Sequence, residues 1–121
     1  MIITAADVAH RLTEQLHEKG YEVAVATSDP AGDFRATQAA IAAALRLPET
    51  AGTNLDALED SLHDLEQIWG RPVALLWQDA SRLARSDGDR WWILAEILDA
   101  ADLPVIAARE AEPVPAEETK A

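Results

Sequence analysis

The seven residues from Arg71 to Trp77, RPVALLW, restrict most what this chain can become. After the leading Arg-Pro they form an unbroken apolar run. A strand with one wet face alternates apolar and polar residues, so a run without alternation belongs to a strand buried on both faces. Such a strand needs a covering layer on its sheet, and the usual cover is helix. Two further segments read as strands. Tyr21 to Thr27 (YEVAVAT) alternates and is rich in valine, and Leu103 to Ala108 (LPVIAA) is short and apolar. Helical patterns separate the three, which gives an α/β layer with a small parallel sheet.

The helices follow from periodicity and stop signals. A first helix spans about residues 4 to 19, with Thr4 or Asp7 at its start, Val8, Leu12 and Leu16 as its apolar stripe, and Gly20 at its end. An alanine-rich helix runs from Asp33 or Phe34 to Leu45. A third is expected from about Asn54 to Ile68, and a last one over DRWWILAEILDAA, residues 89 to 101. Residues 78 to 89 (QDASRLARSDGD) read as a loop with one helical turn. The expected domain is a single one over residues 1–109. The acidic, proline-containing tail from 110 to 121 has no apolar periodicity and is expected to lack structure.

Composition narrows the function. Hydrophobic residues make up 49% of the 121, which fits a globular chain rather than a disordered one. There is no cysteine, so disulfides and thiolate metal sites are excluded and a reducing compartment fits. No apolar stretch is long enough to span a bilayer, and a soluble cytoplasmic protein is expected. The formal net charge of -12 repels nucleic acid and anionic membranes and favours encounter with basic partners. His10 and His17 lack a third ligand, and neither a metal nor a cofactor is expected.

The third helix carries the pattern that asks for a task. Leu55, Leu58, Leu62 and Leu65 fall on one side of it, and Asp56, Asp60 and Asp64 fall nearly opposite. Like charges four residues apart destabilise a helix, and only Asp56 gains much from the positive helix start. Local stability does not ask for Asp60 or Asp64. Gly52 ahead of this helix permits a close backbone approach, and Asn54 is suited to cap the first free amides.

The stretch LPETAGTNLDALEDSL, residues 47 to 62, resembles the signature of the barstar family, intracellular inhibitors of secreted microbial ribonucleases. The matching features are Leu-Pro, Gly52, Asn-Leu-Asp-Ala-Leu at 54 to 58, then Asp60 and Leu62. The resemblance covers roughly residues 21 to 108. It implies a three-stranded parallel sheet with helices packed against it, here with an extra N-terminal helix. It also implies that acidic residues of this helix and the loop before it plug a ribonuclease active site. Carried across by position, Asp56 and Asp60 match the two helix aspartates, and Asp60 matches the one that enters the phosphate-binding pocket. Glu96 on the last helix falls near a further acidic contact. The partner-binding set is therefore Thr50, Gly52, Asn54, Asp56, Glu59, Asp60 and Glu96.

Three positions depart from the best-known pattern. Thr50 and Ala51 stand where two tyrosines precede the glycine, and Glu59 stands where a tryptophan precedes the second aspartate. The implied activity is inhibition of a basic ribonuclease by a protein that is monomeric when free and makes no direct contact with nucleic acid or membrane. The alternative is an immunity or regulatory module for a basic partner that is not a ribonuclease. Catalysis is disfavoured, because the aspartates line an exposed face with no glycine-rich phosphate loop or nucleophile motif beside them.

Overall fold

In a computed structural model that describes residues 1–110, the strand β3 (Val73–Gln78) lies inside a parallel sheet, and every residue from Val73 to Trp77 is buried. β2 (Glu22–Thr27) pairs with one side of it and β4 (Val105–Ala108) with the other, so that Leu75 stands between Ala24 and Val105. β1 (Ile2–Thr4) adds to β4, and the order across the sheet is β1-β4-β3-β2. The sheet therefore has four strands, not the three expected. The missed strand is the run Ile2-Ile3-Thr4. All three residues are β-branched and favour a pleated backbone, but three residues are too few to show alternation.

The fourth strand changes the meaning of the first helix. α1 (Ala6–Glu18) is the crossover from β1, at one edge of the sheet, to β2 at the other. It lies across the sheet face formed by Leu76, Ile106 and Ala108 and covers it with Ala9, Leu12 and Leu16. Neither expected cap operates: the residue before α1 is Ala5, with no side-chain cap bond. The end is as read. Gly20 has φ +94°, its N–H donates to the His17 carbonyl, and the Tyr21 N–H donates to that of Leu16.

The other face carries the larger core. Val73, Leu75 and Trp77 of β3 meet Ile41, Leu45, Leu58, Leu62, Leu94 and Leu98 there. Those residues come from α2 (Phe34–Ala44) and Leu45 just past its end, α3 (Leu55–Leu62) and α6 (Gly88–Ala100). Trp77 is fully buried. Its indole N–H donates to Ser28 Oγ at 2.9 Å, and its ring stacks on Trp91 with centroids 6.1 Å apart. Helices on both faces account for the unbroken apolar run of β3.

Two helices differ from expectation. The one expected over 54 to 68 is interrupted: α3 ends at Leu62 and α4 (Leu65–Trp69) starts afresh. Between them the N–H groups of His63 and Asp64 close tight three-residue turns on the carbonyls of Asp60 and Ser61. Aspartates repeating every four residues toward a negative helix end favour such a break. The expected loop at 78 to 89 holds a two-turn helix, α5 (Ala80–Ser86). Among the described residues no helix is long and apolar enough to cross a membrane. Of the tail expected to lack structure, Glu110 is placed, and residues 111–121 lie outside the described residues.

Candidate functional site: an acidic face fixed to one helix

α2 acts as the rail on which this face is mounted. Asp33 starts it by accepting from the Ala36 N–H at 2.8 Å. Phe34, Gln38, Ile41 and Leu45 form its buried stripe, so one member of an apolar stripe is a glutamine. Gln38 Nε2 donates to the Ala51 carbonyl at 3.0 Å and pins the 3-10 turn Glu49–Gly52 to α2. That turn sits so close that a Cβ on Gly52 would lie 3.2 Å from Ala39 Cα. Gly52 is buried, and its contribution is this approach of two backbones.

α3 leaves the turn with its start fixed. The Asn54 side chain accepts from the Ala57 N–H at 3.0 Å. Leu58 and Leu62 are buried against the core, which turns Asp56, Glu59 and Asp60 outward, all exposed. Asp56 and Asp60 are one turn apart on one face. Asp64, expected to extend their row, lies beyond the helix break. The far end of the unit is tied to the same rail. The Trp69 indole donates to the Leu45 carbonyl at 2.8 Å, and the Arg46 guanidinium lies 3.9 Å over the Trp69 ring.

Of the other expected site residues, Thr50 and Asn54 are exposed on the segment leading into α3. Glu96 is exposed on α6, which packs beside α3. On α6 the adjacent tryptophans divide: Trp91 is buried on Trp77, and Trp92 is 64% exposed.

The electrostatics of the face are one-sided. No lysine or arginine occurs between Arg46 and Arg71, while six carboxylates do: Glu49, Asp56, Glu59, Asp60, Asp64 and Glu66. Among the described residues none of these six, nor Glu96, takes part in an ion pair. Among the same residues no group of three His, Cys, Asp or Glu is placed to hold a metal ion. What the arrangement offers is exposed anions, without counter-ions among the described residues, on a capped helix with a packed underside.

The sequence reading missed Gln38 as the residue that positions the site. A signal existed, because a polar side chain on a buried stripe requires a hydrogen-bond partner.

The chain matches the family model described as Barstar (barnase inhibitor) over residues 21–114, and it belongs to the barstar family. That match begins after α1, so β1 and α1 lie outside it. No curated protein and no solved structure matches the chain.

Proposed function

We propose that this protein inhibits a basic microbial ribonuclease by placing α3 carboxylates where RNA phosphates would lie. The observation that carries the reading is the set of exposed acids on α3 and its flanks without cationic partners among the described residues. A ribonuclease cleft holds its phosphodiester and the transition-state charge with cationic donors. A carboxylate accepts two parallel hydrogen bonds from one guanidinium, so Asp60 imitates a pair of phosphate oxygens. Asp56, one turn earlier, engages a neighbouring cation, and Glu96 engages one at the rim. The rest of the negative face speeds encounter, and this contribution falls as salt rises. The inhibitor acts in the cytoplasm, on an enzyme destined for secretion.

The experiment is capture and inhibition. Secreted basic ribonucleases are tested for binding to the immobilised protein and for loss of RNA cleavage in its presence. Asp60→Ala is expected to lose most of the inhibition, whereas Glu14→Ala on α1 changes it less than about twofold. Equal, small losses from both variants would refute the assignment.

A second reading keeps the acidic face and changes the partner. Thr50, Ala51 and Glu59 supply no aromatic anchor, and aromatic side chains usually dominate an interface. A basic partner other than a ribonuclease is then bound through Asp56 and Asp60. Capture of such a protein, with RNA cleavage untouched, selects this reading.

A further inference from the structure

Beside Asp56 the acidic face carries charge of the opposite sign. Phe34, Arg35, Gln38, Asn54, Asp56 and Arg90 line a concavity of about 410 Å³ between the start of α2, the start of α3 and the first turn of α6. Arg90 is held in place there. Its guanidinium lies 5.2 Å from the Phe34 ring centroid, and its Nε is 3.6 Å from Asp87 Oδ2. The Arg90 side chain is still 55% exposed. Arg35 is exposed on the first turn of α2 and forms no ion pair among the described residues. Neither guanidinium pairs with Asp56 across the groove. The groove thus joins two exposed guanidiniums, that of Arg35 in no ion pair among the described residues and that of Arg90 beside Asp87, to one carboxylate at the margin of a face that is otherwise acidic.

We infer that this groove receives a carboxylate of the same partner, one that borders the cation engaged by Asp56; the inference rests on the ribonuclease reading. A wholly acidic face attracts any polycation. Two guanidiniums in it repel a partner that presents a cation at that spot and favour one that presents an acid, which a guanidinium can bind through two parallel bonds. Discrimination is a difference between affinities, and a repulsive element contributes to it as much as an attractive one. Arg35 and Arg90 are therefore residues that determine specificity, while Asp56 and Asp60 supply general attraction to a cationic cleft.

The test uses the full chain with Arg35→Gln and Arg90→Gln together, substitutions that keep much of each side-chain stem. Thermal melting checks that the variant is folded, and Arg90→Lys serves as a conservative rescue. Against the captured ribonuclease the double variant is expected to bind about tenfold more weakly. The loss should disappear when one particular Asp or Glu lining the enzyme cleft is changed to its amide. Against polylysine the same variant is expected to bind about threefold more tightly than the unmodified protein. Undiminished ribonuclease binding overturns the inference, and so does a loss coupled to no carboxylate. If Asp60→Ala abolishes capture while the arginine pair has no effect, this inference alone fails. If no ribonuclease is captured at all, the reading above fails, and equal polylysine binding by both proteins overturns the groove separately.

Discussion

Glu110 and Asp60 are both carboxylates on the surface of one small domain, and their surroundings differ in kind. Glu110 follows β4. Its N–H donates to Ser81 Oγ at 2.9 Å, its carboxylate accepts from Arg82 Nε at 3.0 Å, and Arg85 approaches the same group. Arg82 also lies 3.5 Å from Asp79, and the side chains of Arg82 and Glu110 are only 25% and 20% exposed. This network ties the chain after the last strand to α5. Among the described residues Asp60 has no such partner, and its nearest helical neighbours on the same face include another acid. The fold uses the charge of Glu110. It only tolerates that of Asp60, which is exposed and in no ion pair among the described residues.

The sharpest way to break this contrast is to remove each carboxylate and measure both stability and binding. Asp60→Ala is expected to weaken binding to the target by about 2–5 kcal/mol in a titration, the range for truncating one partner of a desolvated charge pair. That range includes truncations at the barnase–barstar interface. Melting temperature should stay level or rise slightly. Glu110→Ala should leave the affinity unchanged. Affinity loss at Glu110 with none at Asp60 would invert the contrast.

A second test addresses the mounting of the site. Gln38→Leu removes the bond to the Ala51 carbonyl and leaves a buried acceptor unsatisfied, at a cost of about 1–3 kcal/mol. Denaturant unfolding reads that cost. If the 3-10 turn holds α3 in register, the folded variant also binds its partner more weakly, although Gln38 itself is buried. A destabilised variant with full affinity would show that α3 orients itself without the rail.

How much of this was legible beforehand depends on whether a feature is local. The outward aspects of Asp56 and Asp60 followed from the leucines opposite them, because burial of one helical face fixes the other. The burial of β3 followed from its missing alternation. The break after Leu62 could not be read, because the leucine spacing through 55, 58, 62 and 65 runs on unchanged while only the backbone turns. β1 was obscured by its length and by its attachment to a helix start. Arg90 acquires its position from Phe34 and Asp87, one of them 56 residues away in sequence, and no window along the chain joins them.

Salt separates the two regions by the smallest effect, and by its sign. The Glu110 network is an attraction, so screening weakens it, though less than it would a fully exposed pair, because the Arg82 and Glu110 side chains are only 25% and 20% exposed. The α3 acids repel one another, so screening relieves a penalty of a few tenths of a kcal/mol per pair (~0.2–0.5). Asp60→Asn should therefore raise the melting temperature slightly at low salt, with the gain vanishing near 1 M. Glu110→Gln should lower it, with the deficit shrinking over the same range. Were both variants to shift in the same direction with salt, the acids of α3 would have counter-ions within the protein after all, and their availability to a cationic cleft would lose its basis.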